Sequence, residues 1–143
     1  MRFSQVEANK LTKNKNLVFI CGHYKGVDQR VRDNLITDEY SIGDYVITGG
    51  ELSSLVIIDS IVRLLPGVLN NIDSAKSDSF ESDLLDCNYY TRPETYRELK
   101  VPEVLLSGHH QKIKEWKLEK KRIKTKTNRP DLWLKYKNKN DLE

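Results

Sequence analysis

The sequence predicts an α/β domain with a parallel sheet, followed by a small α-helical unit. Three observations predict it. Short apolar runs end in glycine loops and lead into helical periodicity, twice in succession, which is the rhythm of layered α/β structure. Residues 69–83 interrupt that rhythm with small, polar and acidic side chains. The remainder carries helical spacing and most of the positive charge.

Leu17, Val18, Phe19, Ile20 and Cys21 form a continuous apolar run, which suits a strand buried on both faces. It breaks into Gly22-His23-Tyr24-Lys25-Gly26, a loop held between two glycines. Val27, Val31 and Leu35 recur every four residues and predict a short amphipathic helix over 27–36. Residues 45–48 read as a second short strand, entered through Ile42-Gly43-Asp44 and left through Gly49-Gly50. From Glu51 to Leu65, apolar residues crowd most of a helix surface, so a largely buried helix is expected, ended by Pro66-Gly67. Residues 69–83 read as a linker or functional loop. Val101 to Leu106 reads as extended. Residues 109–127 read as a helix with Ile113, Trp116 and Ile123 on one side. Arg129-Pro130-Asp131 starts a last helix, packed through Leu132, Trp133, Leu134 and Tyr136, with a fraying tail from Lys137.

Composition narrows the class. With 143 residues, 38% hydrophobic and 31% charged, the chain is long enough for one real core and an appendage. No apolar stretch approaches a membrane span, and the polar start MRFSQVEANK reads neither as a signal peptide nor as a transit peptide. Cys21 and Cys87 lack metal-ligand spacing, so neither a disulfide framework nor a zinc site is expected. A soluble, cytoplasmic protein is expected. Its net charge of +3 conceals an asymmetry. Residues 1–99 carry 11 Lys and Arg against 15 Asp and Glu, whereas residues 100–143 carry 13 against 6. Nine basic residues and two acids fall within 112–129 alone, which suits a polyanion such as nucleic acid or simply a solvated lysine-rich helix face.

The site-like elements each have a plainer reading. Glycines after strands let backbone groups approach a ligand, or they only make tight turns; neither loop has dinucleotide or P-loop spacing. Asp78 is a potential general base or one acid among several, and Arg63 either meets a ligand or caps a helix. His109 and His110 open a helix beside basic residues, where a phosphate contact or a surface position is equally reasonable. Tyr89, Tyr90, Thr91, Arg92 and Pro93 suit an RNA contact or simply pack a loop.

Six strings in one order resemble a known family: GHYKGVDQRV, EYSIGDYVITGGEL, IDSIVRLLPGVL, DSFESDLLDCNYYTRPE, VPEVLLSGHH and KTNRPDL. Together, from about Phe3 to Leu134, they resemble the bacterial tRNA (guanine-N1)-methyltransferases of the knotted SPOUT class. The resemblance implies an S-adenosylmethionine-binding trefoil-knot domain over 1–68, an interdomain linker over 69–83 and a helical tRNA-binding domain over 84–143, working as a homodimer. It places the methyl donor among Gly22, Tyr24, Gly26, Ile42, Gly43, Tyr45, Ile47, Gly49, Gly50 and Ser53. It makes Asp78 the general base and Arg63 the residue that assists the guanine, the target being the guanine 3′ of the anticodon. Arg92, His110, Lys112, Lys121, Arg122 and Arg129 would hold tRNA phosphates; neither DNA nor a membrane is an expected partner. Magnesium is associated with the family, although no metal ligands are assigned here.

Those residue types suit the chemistry. Guanine N1 is a poor nucleophile until its proton is removed; a carboxylate accepts that proton and a cation stabilises the charge developing at O6. Three positions depart from the pattern. Lys25 stands where the family usually has glutamate, Ser53 where it often has proline, and His109 where asparagine is common. The resemblance also implies that this chain starts well inside the first domain, without the first strands, a proline–glycine-rich segment and a donor-binding loop. A non-catalytic tRNA-binding remnant or half of a split enzyme is therefore the alternative expectation.

Overall fold

The computed structural model describes residues 1–69 and 78–140, arranged as two compact units, Met1–Ala75 and Lys76–Glu143. Among the described residues it is a mixed α/β structure in which helices dominate.

In the first unit α1 spans Gln5–Leu11, α2 Gln29–Leu35 and α3 Glu51–Val62. The helix α1 packs on α3, burying Ala8 and Leu11 against Ile57 and Ile61. Ala8 is fully buried. Phe3, Phe19, Tyr40, Ile42 and Leu64 complete this small core. The N-terminal residues are fastened by backbone bonds from Ser41 N–H to the Met1 carbonyl and from Phe3 N–H to the Ser41 carbonyl. No apolar periodicity announces α1, because Val6 points into solvent and only Ala8 and Leu11 are buried. At the start of α2, the Asp28 side chain accepts from Arg30 N–H at 2.8 Å, an N-cap.

Three expectations are corrected here. Residues 17–21 and 45–48 form no strand ladder; among the described residues a parallel bridge joins Arg2 to Ser41 and an antiparallel one joins His23 to Gly49. Val18 and Val46, expected inside a sheet, are 88% and 98% exposed. An apolar run specifies that a segment suits burial, but a strand forms only when another supplies its hydrogen bonds. For the same reason α3 is not largely buried. Leu52, Leu55, Val56, Ile58 and Val62 remain exposed, and its core face is limited to Ser54, Ile57 and Ile61. It also ends at Val62, before Leu65, with Pro66 and a positive-φ Gly67 behind it.

The second unit begins with an irregular stretch that buries Leu84 and Cys87. A hairpin follows, in which β1 (Thr95–Tyr96) pairs antiparallel with β2 (Leu99–Lys100). Its two-residue turn puts Arg97 and Glu98 at positive φ, the geometry that matches strand twist, although neither is the usual Gly or Asn. Residues 101–106, expected extended, instead contain a one-turn helix, α4 (Glu103–Leu106); Pro102 suits a helix start. The long α5 (His110–Asn128) packs on α4 and on α6 (Pro130–Lys139). Leu132 and Tyr136 are the buried residues of α6, which continues to Lys139 where a frayed tail was expected. Asn140 N–H caps it on the Tyr136 and Lys137 carbonyls.

Thr125 is fully buried and ties this unit together. Its hydroxyl donates to the Lys121 carbonyl at 2.7 Å and accepts from Leu85 N–H at 2.8 Å. Thr125→Val keeps the shape but leaves the Leu85 donor without its acceptor. A loss of about 1–3 kcal/mol is expected in urea unfolding followed by tryptophan fluorescence, with Thr125→Ser close to wild type. Equal stability of the valine variant would show that this bond contributes little.

Candidate functional site

The two glycine loops of the first unit meet. Gly50 N–H donates to the Gly22 carbonyl at 3.1 Å and His23 bridges Gly49 antiparallel, so the backbone after one apolar run lies against the backbone after the other. One residue on each side reinforces the contact, because the His23 ring Nε2 contacts a Glu51 carboxylate oxygen. Bonds to its own backbone N–H and to His23 hold the Glu51 carboxyl below its ordinary range. Within the first loop Gly26 N–H closes a turn on the His23 carbonyl, with Tyr24 at φ 55° and Gly26 at φ 100°. Beneath the contact, Ser54 Oγ donates to the Gly50 and Glu51 carbonyls and lies 3.0 Å from Cys21 Sγ. Sequence reasoning passed over Ser54 and Cys21; the one signal was a serine inside an apolar helix.

A cavity of about 790 Å³ opens beside this contact. Gly22, Gly26, Gly50 and Ser53 line it, together with Phe19 and Arg32 among others. The other six candidate donor residues are not among its lining. Tyr24 is fully exposed, Ile42 packs on the core, and the Tyr45 ring lies over Gly43. Ile47 is partly exposed, and Gly49 sits against the His23 ring. Lys25 is exposed.

Arg63 is the half-buried C-cap of α3, where a cation complements the helix dipole. Asp78 is half-buried at the start of the described part of the second unit. The two candidate catalytic residues thus belong to different units.

On the second unit the basic block divides into engaged and outward cations. Lys121 pairs with Asp86 at 2.9 Å, both largely covered. Arg122 donates to the Tyr136 hydroxyl and lies over its ring. Arg129 forms a two-point bond with Asp131, bringing that carboxyl down to about 2, and lies over Phe80. Arg92, His110 and Lys112 are exposed, as are Lys114 and Lys126. Burial pushes the Asp86 carboxyl up, but hydrogen bonds from Lys121, the Tyr89 hydroxyl and Cys87 N–H bring it below its ordinary range. The same bond pushes the Tyr89 hydroxyl strongly up.

Among the described residues no three His, Cys, Asp or Glu side chains converge as metal ligands. No described helix is long and apolar enough to cross a membrane.

Comparison with known proteins adds the family. The chain is 55% identical over 130 residues to the tRNA (guanine-N(1)-)-methyltransferase of Chlorobium luteolum, covering 91% of this chain and 56% of that protein. It is 57% identical over 133 residues to the enzyme of that name from Shouchella clausii, covering 93% and 54%. The like-named protein of Bacillus cereus strain AH820 is 55% identical over 131 residues, covering 92% and 54%. The chain therefore spans about half the length of the curated relatives it matches. The profile of the tRNA (Guanine-1)-methyltransferase TrmD family matches residues 1–135, nearly the whole chain. This chain belongs to the tRNA (guanine-1)-methyltransferase TrmD family.

Proposed function

We propose that this chain carries out, as part of a SPOUT-type methyltransferase, transfer of a methyl group to N1 of the tRNA guanine 3′ of the anticodon. Family membership over residues 1–135 carries this reading, and the joined glycine loops beside the cavity are the geometry that supports it. S-adenosylmethionine, when bound, supplies an electrophilic methyl on a sulfonium leaving group. We assign Gly22, Tyr24, Gly26, Ile42, Gly43, Tyr45, Ile47, Gly49, Gly50 and Ser53 to hold it; of these Gly22, Gly26, Gly50 and Ser53 line the cavity. Asp78 accepts the N1 proton, and Arg63 stabilises the negative charge left at guanine O6. With that proton removed, the chain's part is to hold the guanine with its N1 lone pair facing the donor methyl. We divide the chain as 1–68 for the donor domain, 69–83 for the linker, whose residues 70–77 lie outside the described ones, and 84–143 for the tRNA-binding domain. In this reading the enzyme works in the cytoplasm as a homodimer, and the exposed cations of α5 meet RNA phosphates, with binding that weakens steeply as salt rises.

Val18, Val46 and the outer face of α3 are apolar surfaces that a parallel sheet would cover. Transfer of labelled methyl to a tRNA transcript with guanine 3′ of the anticodon tests the reading, with an adenine transcript as control. Each is run with the chain alone and with a polypeptide carrying the portion of a relative that this chain does not match. Guanine-dependent transfer in either arm supports methyl transfer, and its restriction to the second arm shows that the added portion is required. No transfer in both arms, with a full-length relative active beside them, overturns it.

A further inference from the structure

The second unit presents aromatic rings in water that are nevertheless fixed in place. Tyr89 is 66% exposed and Tyr90 46% exposed. The Tyr89 hydroxyl donates to Asp86 at 2.7 Å, and Asp86 is itself held by Lys121 and by Cys87 N–H. One residue earlier, Leu85 N–H is tied to the buried Thr125 hydroxyl. The strip before Arg92 is thereby fastened to α5 by side-chain bonds, although its rings remain uncovered. The Tyr90 ring lies 6.4 Å from that of Trp116 on α5, tilted by 53°. Lys117 Nζ sits 5.8 Å from the Tyr89 ring centre and Lys120 Nζ 5.6 Å from that of Trp116.

Exposed Tyr89 and Tyr90 rings beside half-buried Trp116, with Lys117 Nζ over the Tyr89 ring and Lys120 Nζ over that of Trp116, suit one ligand chemistry. An unpaired nucleobase stacks on a ring face whatever its identity, while its phosphates meet the lysines. A base inside a duplex is already stacked and offers no face. The nine cations between residues 112 and 129 supply the charge complementarity, and the rings add a feature that a merely solvated lysine face does not need. We infer that Tyr89, Tyr90 and Trp116 form a stacking platform for an unpaired base of RNA, with Lys117 and Lys120 at its phosphates. The platform rests on the tRNA reading above and deepens it, since it makes the second unit a reader of loops. It lies wholly within that unit.

The test uses the full chain carrying Trp133→Phe, which leaves Trp116 as its one tryptophan. The probes are an RNA stem with a seven-nucleotide loop and a blunt RNA duplex with the same number of phosphates. The stem-loop is expected to quench Trp116 emission and the duplex to leave it unchanged. Tyr89→Leu and Tyr90→Leu should each weaken stem-loop binding by about 5- to 100-fold without altering its salt dependence. Tyr89→Phe, which keeps the ring, should bind within a few-fold of the parent. Lys112→Ala should instead flatten the salt dependence. Unchanged affinity in both leucine variants, or equal quenching by the duplex, overturns the platform and leaves the tRNA reading standing. Failure of the parent chain to bind either probe overturns the platform, and the methyl-transfer experiment decides the tRNA reading. Far-UV circular dichroism of each variant identifies any that fail to fold, and for those the phenylalanine variant and the quenching contrast decide.

Discussion

Asp78→Asn is expected to lower guanine methylation by about 10²- to 10⁴-fold, the usual contribution of a positioned general base. Asparagine keeps the shape and hydrogen-bonding reach of the side chain but cannot take up the N1 proton. The loss should therefore appear in the single-turnover rate, with tRNA affinity little changed. Arg63→Lys should cost less than Arg63→Ala, because lysine keeps a cation near O6 while losing the two-pronged donor geometry of arginine. The measurement belongs in whichever arm of the transfer experiment is active. A rate for Asp78→Asn equal to wild type would remove the proton-accepting role from this residue, and with it the proposed division of labour between the two units. A parallel fall in tRNA affinity would point to positioning of the guanine and away from proton transfer.

The elements that could be read from the sequence are those whose pattern is local. The four-residue recurrence of Val27, Val31 and Leu35 locates α2, and Pro130 marks the start of α6. The basic block falls on α5 as expected, and glycines mark the two loops that meet. What escaped reading depends on partners remote in the chain. The run at 17–21 looks like a strand because its side chains are apolar, yet no ladder forms there in this structure. The helix α1 escaped because its buried face consists of Ala8 and Leu11, too few positions to register as periodicity. Thr125 looked like one more polar residue of a charged helix, and only the fold shows that its hydroxyl receives Leu85 N–H, forty residues away. The same limit applies to the site. The resemblance implies that Lys121, Arg122 and Arg129 hold tRNA phosphates, and in the structure Asp86, Tyr136 and Asp131 engage them. Cations engaged within the fold can still attract phosphate, but they hold the unit together first, so the exposed lysines are the better places to seek a salt-dependent contribution.

Gly50→Ala is expected to destabilise the first unit by about 1–3 kcal/mol, the usual cost of forcing atoms into a filled space. The reason is room and not backbone freedom. Gly50 has φ −79° and ψ −9°, which any residue adopts. A methyl group there would lie 2.9 Å from Cys21 Cα and 3.2 Å from Cys21 Cβ, inside contact distance of backbone that cannot swing aside. Gly26 is the opposite case. Nothing lies within 4 Å of a Cβ built there, but its φ of +100° disfavours any side chain. Gly26→Ala should therefore strain the turn locally and leave the contact at Gly22 and Gly50 intact. The two variants separate the loop contact from the loop's shape. Both tryptophans, Trp116 and Trp133, lie in the second unit, so far-UV circular dichroism is the readout for the first. Far-UV circular dichroism should show a helical transition at lower temperature, by several degrees or more, for Gly50→Ala. If donor binding fails in Gly50→Ala while Gly26→Ala retains it, the contact is what shapes the donor site. If Gly50→Ala melts and binds as wild type does, the two loops do not meet in solution as they do here, and the donor site must be built from other residues.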